Sequence, residues 1–156
     1  MYRKMLSRSP LEIANPSIWV SVCQKVDREV SLLDDAGFTT LIGLGILSSF
    51  VAGVSVGDSA VLLMLGEKSF ILSERQQKNP PAGSGAAMMT PFAAQLTSPW
   101  KLLVMSDGVW KYIGWDKLVK LAETISGEEL IKKIREGAVA NTQRLMDDFT
   151  IILIEE

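Results

Sequence analysis

Three apolar segments follow one another between residues 38 and 65, and they constrain the fold more than any other feature of the sequence. They cover residues 38–47, 50–56 and 60–65. Short turns separate them at Ser48-Ser49 and at Gly57-Asp58-Ser59, and the segments are rich in Thr, Val, Ile and Gly. This pattern predicts successive strands of an antiparallel meander. Because the strands are nearly apolar on both faces, other elements must cover both sides of the sheet.

The first two of these segments belong to a stretch without any charged residue, which runs from residue 36 to residue 57. That length is close to what a bilayer-spanning helix needs. The central Ser48-Ser49 pair and the strand-like composition favour a buried β-hairpin instead, so we expect no membrane association. The net charge of -2 gives no basic surface of the kind that binds nucleic acid.

The residue types that are missing or rare exclude several kinds of chemistry. The sequence contains no histidine, which removes histidine bases, catalytic triads and histidine-bound zinc. Cys23 is the only cysteine, so no disulfide framework exists, and a reducing, cytoplasmic location is expected. Cys23 is also unsuited to cysteine-phosphatase chemistry, because Arg28 follows one position too early; a small core residue is the better interpretation.

The rest of the chain predicts helices and strands in a simple order. Asn15-Pro16 is typical of a helix start, and the apolar periodicity that follows it predicts an amphipathic helix. Residues 74–99 contain four of the six prolines and predict a long, flexible surface loop. The remaining predictions are strands at 69–73, 100–105 and 149–154, a helix at 115–124, and a helix from a capping box at Ser126 to about residue 140. We therefore expect one α+β domain over residues 1–156.

Three aspartates share one kind of setting, where an apolar strand meets a turn. Asp58 lies between two strands, Asp107 lies between a strand and Gly108, and Asp147 precedes the last strand. Each residue alone is more typical of a turn that bonds its own backbone. Together they suggest converging carboxylates, which repel one another unless a cation lies among them. Oxygen ligands of this type suit Mg²⁺ or Mn²⁺.

At these positions the sequence resembles the metal-dependent protein phosphatases of the 2C (PPM) type. Residues 54–59 (VSVGDS) are similar to that family's "vGDS" motif, and residues 102–110 (LLVMSDGVW) to its "lllSDGlw" segment. Residues 147–153 (DDFTIIL) are similar to its closing "DNiTvvv" strand, and residues 38–41 (FTTL) to its "GTTl" strand. Each motif is weak alone, but the ordered set covers roughly residues 17–155.

The resemblance implies an antiparallel β-sandwich flanked by α-helices, with metal-dependent hydrolysis of phosphoserine or phosphothreonine in proteins. It implies metal residues at Asp107, Gly108 and Asp147, with Asp58 helping to hold an additional ion. The family site holds two or more Mn²⁺ or Mg²⁺ ions, and a metal-activated water, rather than a side chain, attacks the phosphorus. The substrate would be a phosphoprotein.

The sequence departs from the family pattern in its first part. The family's initial Asp-Gly strand, whose aspartate bridges the metals, has no counterpart before the first helix, and neither Arg3 nor Arg8 lies in the context of the family's phosphate-binding arginine. The chain is therefore expected to be an N-terminally truncated member. The alternatives are a catalytically inactive, phosphatase-like binding or regulatory module and a structural domain that binds no metal.

Overall fold

A computed structural model describes residues 9–35, 37–139 and 144–156. The chain divides into two units by its internal contacts. The first unit comprises Met1–Ser59 and Ser73–Leu96, and the second comprises Ala60–Leu72 and Thr97–Glu156. The prediction of a single domain stays a prediction.

Two helices open the described part of the first unit: α1 at Pro10–Ile13 and α2 at Pro16–Ser31. The predicted start of α2 is confirmed, because the Asn15 side chain accepts a hydrogen bond from the Ser17 backbone N–H at 3.0 Å. Trp19 and Cys23 are buried on one face of α2 and pack with Ala52 and Val54. Cys23 is thus a core residue, as expected.

The sheet of the first unit has three antiparallel strands in the order β1-β2-β5. They are β1 at Leu41–Leu47, β2 at Phe50–Val56 and β5 at Thr90–Gln95. Residues Leu47 and Phe50 pair across the Ser48-Ser49 turn, which confirms the predicted hairpin. The prediction of an unbroken loop over residues 74–99 is wrong at β5. This strand lies at an edge of its sheet. Proline has no backbone N–H to donate, and an edge strand tolerates Pro91 because one of its sides has no partner strand.

The sheet of the second unit has four antiparallel strands in the order β4-β3-β6-β7. They are β3 at Ala60–Leu65, β4 at Lys68–Ile71, β6 at Trp100–Met105 and β7 at Ile151–Glu155. The helices of this unit are α3 at Asp107–Ile113, α4 at Trp115–Thr124 and α5 at Gly127–Ala138. Strands and helices share one apolar core, which includes Leu62, Met64, Leu103, Met105, Val109, Leu118, Leu130 and Ile134.

Two local predictions are wrong, and both fail because a distant partner decides the structure. The meander does not continue through Gly57-Asp58-Ser59, because β2 pairs with β1 and β5 whereas β3 pairs with β4 and β6. The capping box at Ser126 does not form. Instead, the Gly127 N–H donates to the Glu155 carboxylate at 2.8 Å, so a residue of β7 satisfies the start of α5. The end of the predicted last helix, at residue 140, lies outside the described residues.

Within the described part of the chain, no helix combines the length and apolar composition that crossing a bilayer would require.

Candidate metal centre

Asp58 lies in the first unit, in the turn that follows β2. Gly57 has a φ of +88°, a conformation that residues with a side chain rarely adopt. The turn is fixed by hydroxyl groups: Thr40 Oγ1 and Ser59 Oγ are 2.7 Å apart, and Ser55 Oγ donates to Gln76 Oε1 at 2.6 Å. The Asp58 side chain is only 14% exposed, and its Oδ2 atom forms an ion pair with Lys78 Nζ at 3.1 Å. Asp58 is therefore held by the segment that carries Lys78.

That segment is anchored by Asp27, a residue that no sequence motif indicates. Asp27 lies on α2 and is 4% exposed. One carboxylate oxygen accepts hydrogen bonds from the Gly83 N–H at 2.6 Å and the Gly85 N–H at 3.2 Å, and the other accepts from the Ala87 N–H at 3.1 Å. The sequence does indicate that Asp27 is buried, because its spacing places it on the same helix face as Trp19 and Cys23. A lone carboxylate on an apolar face requires a partner when it is buried.

Asp107 lies in the second unit as the first residue of α3. The preceding Ser106 joins this point to the segment before β7, since its Oγ donates to the Asp148 carbonyl at 2.9 Å and accepts from the Thr150 N–H at 3.1 Å. The Asp107 side chain is 27% exposed, and its Oδ2 atom is 2.6 Å from Lys111 Nζ. The strand β6 ends at Met105, and α3 begins at Asp107, a helix that the local sequence pattern does not predict.

Gly108 allows the segment of Asp147 and Asp148 to approach α3. A Cβ atom at position 108 would overlap the carbonyl oxygen of Asp148 and would lie 3.0 Å from the Cβ atom of Asp147. The structure thus places Gly108, the residue after Asp107, beside Asp147 in the second unit. Asp58 belongs to the first unit, and the prediction that it shares a cation with Asp107 and Asp147 stays a prediction.

The oxygen atoms at Asp107 and Asp147 suit a hard divalent cation in their chemistry. Asp107 uses Oδ2 for Lys111, and Asp147 uses Oδ1 to accept its neighbour's N–H at 2.8 Å. The second carboxylate oxygen of each residue has no hydrogen bond or ion pair to the described residues. Across residues 9–35, 37–139 and 144–156, no group of three or more acidic or thiol side chains is arranged to hold one ion. The donor type therefore fits Mg²⁺ or Mn²⁺, and the ligand set stays a prediction.

A separate cavity of about 960 Å³ lies in the second unit at the start of β6, whereas Asp107 follows the end of that strand. Its lining residues include Trp100, Lys101, Glu67, Glu123 and Glu155. Lys101 Nζ donates to the carbonyl groups of Ala122 and Ile125, both at 2.6 Å, so its ammonium group is bound within the protein. The cavity is not part of the candidate metal centre.

No protein-family model matches the chain, and no curated protein sequence is significantly similar to it. Solved structures do match. A bacterial serine phosphatase bearing an arginine-to-glutamate substitution aligns with a TM-score of 0.76 at 16% identity, over 90% of this chain and 66% of that one. The S. agalactiae serine/threonine phosphatase aligns with a TM-score of 0.68 at 17% identity, over 89% of this chain and 69% of that one. Stp1 from Staphylococcus aureus gives a TM-score of 0.64 at 15% identity, over 90% and 66%.

These structures are bacterial serine/threonine phosphatases of the 2C type, and the α+β fold of this chain is the fold that they share. The expected resemblance is therefore confirmed at the level of the fold. The chain spans just under two thirds of the length of the first of these phosphatases.

Proposed function

We propose that this chain serves a 2C-type protein phosphatase activity, the metal-dependent hydrolysis of phosphoserine or phosphothreonine in proteins. One observation carries the proposal, and it is made in a fold that phosphatases share. Gly108, the residue after Asp107, has no side chain, so Asp147 can pack directly beside it. Two carboxylates that belong to distant parts of the sequence are thereby brought to the end of one sheet. Phosphoproteins are the proposed substrates, and the reducing environment of the cytoplasm suits the single buried thiol.

In this proposal Asp107, Gly108 and Asp147 hold Mn²⁺ or Mg²⁺, and Asp58 helps to hold an additional ion. A bound ion would activate water and neutralise charge on the phosphoryl group. The chain's own residues position the ligands. Ser106 joins the end of β6 to the Asp148–Thr150 segment through its hydroxyl group, which limits the relative movement of Asp107 and Asp147.

A second function, a phosphatase-like module that binds without hydrolysis, is favoured by a different observation. Asp58 and Asp107 are each paired with a lysine, and the described residues contain no cluster of three potential metal ligands. A module of this kind would retain a phosphopeptide without releasing phosphate. The two functions therefore differ in one measurable product.

The test is phosphate release from phosphoserine and phosphothreonine peptides during a titration with Mn²⁺. It should be made on the 156-residue chain and on any longer product of its reading frame. We expect release that requires Mn²⁺ and that EDTA abolishes. Asp107→Asn should lower the rate by about a hundredfold and abolish Mn²⁺ binding in calorimetry, because the exchange removes a charged ligand.

Asp116→Asn is the matched control, because Asp116 also lies in the first turn of a helix but is exposed and has no part in the proposed site. It should retain both activity and Mn²⁺ binding. Asp107→Asn protein that binds Mn²⁺ as tightly as the parent would refute the assigned role. Peptide binding without any phosphate release would favour the non-catalytic module.

A further inference from the structure

Two carboxylates of the proposed site already have a cation from the chain itself. Lys111 Nζ lies 2.6 Å from Asp107 Oδ2, and Lys78 Nζ lies 3.1 Å from Asp58 Oδ2. Each pair lies within its own unit. A lysine ammonium group and a divalent metal ion seek the same oxygen atoms, so the pairs bear directly on metal affinity.

The Lys111 pair is formed within a single turn of helix. Lys111 follows Asp107 by four residues on α3, a spacing that places the two side chains on the same helix face. The ammonium group therefore reaches the carboxylate without any movement of a loop. The side chains of Lys111 and Asp107 are 36% and 27% exposed, so this pair is more sheltered than a free surface pair.

An aromatic side chain also restrains Lys111. Its Nζ atom lies 5.4 Å from the centre of the Trp110 ring, within the range of a cation–π interaction. The Trp110 ring stacks on Trp115 with centroids 5.4 Å apart, and both rings pack against the core of the second unit. The ammonium group thus has favourable contacts on a carboxylate and on a fixed aromatic face, and both hold it near Asp107.

We propose that Lys111 is a built-in competitor for divalent metal at Asp107, so that it lowers the affinity of this site for Mn²⁺ and Mg²⁺. A metal ion that uses both Asp107 oxygens must displace the ammonium group from Oδ2, and one that uses only Oδ1 must be bound beside a positive charge. Both routes cost binding free energy, because like charges repel at short range. This inference rests on the proposed function, since it concerns the regulation of the same site by the chain's own charge.

The test is calorimetric Mn²⁺ titration of the parent chain and five variants, one of which is Asp107→Asn, with thermal unfolding to confirm that each is folded. Lys111→Gln should bind Mn²⁺ about threefold to tenfold more tightly than the parent, because it removes one nearby positive charge. Lys111→Arg keeps the charge and should remain within about twofold. The difference between Lys111→Gln and the parent should shrink at high ionic strength.

Lys133→Gln is the matched control. Lys133 lies in the same unit and pairs with Glu136 at 2.8 Å, but neither residue belongs to the proposed site. It should leave the Mn²⁺ affinity unchanged. The double variant Lys111→Gln/Asp107→Asn should bind no Mn²⁺, as is expected of Asp107→Asn alone, which would show that the gain requires Asp107.

The outcomes separate the two proposals. Equal Mn²⁺ affinity in the parent and in Lys111→Gln, with binding lost in Asp107→Asn, would overturn the competition and leave the metal site standing. Absence of Mn²⁺ binding in every variant would overturn both. Mn²⁺ binding that is tighter in Lys111→Gln than in the parent, Lys111→Arg and Lys133→Gln would support the competition. Binding detected in Lys111→Gln and in no other protein would support it as well.

Discussion

The two units hold their proposed metal-binding aspartates by different means. In the second unit, Asp107 is fixed by neighbours on its own helix and by the close packing of Gly108 against Asp147 and Asp148. In the first unit, Asp58 depends on Lys78, whose segment is held in turn by the buried carboxylate of Asp27. The second unit thus relies on contacts within one helix and on a glycine that permits close packing. The first unit relies on polar contacts between residues far apart in the chain.

This difference teaches where each unit is vulnerable. A polar anchor fails when its single acceptor is removed, because several N–H groups then lose their partner together. A close backbone approach fails when a side chain is added, because the packed neighbours cannot withdraw. Substitutions at Asp27 and at Gly108 therefore probe the two units separately.

The largest effect is expected for Asp27→Ala. The three N–H groups of Gly83, Gly85 and Ala87 would lose a charged acceptor, and we expect the free energy of unfolding to fall by about 3 kcal/mol. Urea denaturation measures the loss, and hydrogen exchange should accelerate at these three amides. Asp34→Ala is the control, because Asp34 is exposed, and it should change stability by less than about 0.5 kcal/mol. Equal stability of the two variants would show that Asp27 does not anchor the segment.

Gly108→Ala should cost somewhat less, about 2 kcal/mol, because the new Cβ atom would meet the Asp148 carbonyl oxygen. Helix propensity alone predicts the opposite sign, since alanine is preferred over glycine within a helix by about 1 kcal/mol. Urea denaturation therefore distinguishes the two effects by direction. Gly37→Ala is the control, because a Cβ atom there would meet nothing within 4 Å. A Gly108→Ala protein as stable as the parent would mean that Asp147 is not packed closely against α3.

The sequence was sufficient to predict most of the helices and strands, because apolar runs and an Asn-Pro start are local signals. It did not predict which strands pair, since the turn at Gly57-Asp58-Ser59 is compatible with a hairpin and with a change of sheet. It also did not predict β5, because Pro91 weakens the local strand signal and only the position at the sheet edge permits it.

For the candidate site, the sequence predicted the aspartates but not their partners. Asp58, Asp107 and Asp147 were recognised by their position at strand ends. Lys111 could have been found from its spacing to Asp107 on a helix. Lys78 could not, because nineteen residues separate it from Asp58 and no helix or strand period relates the two positions. The hydrogen bonds of Ser106 to residues 148–150 likewise depend on tertiary structure alone.

The smallest effect concerns Cys23, whose reactivity reports on the packing of α2 in the first unit. Burial raises the pKa of the Cys23 thiol from 9.0 to about 11. The fold thus favours the neutral thiol, and the resulting stabilisation is complete below pH 9 and is lost as the pH rises towards 11. At pH 8 the thiol is neutral and buried, so a disulfide reagent should leave the folded protein unmodified and should react with one equivalent in urea.

The same reagent shows how far the Asp27 anchor extends. Cys23 lies one helical turn before Asp27 on α2 and belongs to the core cluster that contains Ala52 and Val54. If Asp27→Ala releases only residues 83–87, Cys23 should stay protected in that variant at pH 8. Rapid modification of Cys23 in Asp27→Ala would show that the anchor also holds α2 on its sheet, and rapid modification in the parent would contradict the burial of the thiol. The rates of Cys23 modification in the parent and in Asp27→Ala therefore show whether Asp27 stabilises only residues 83–87 or the whole first unit.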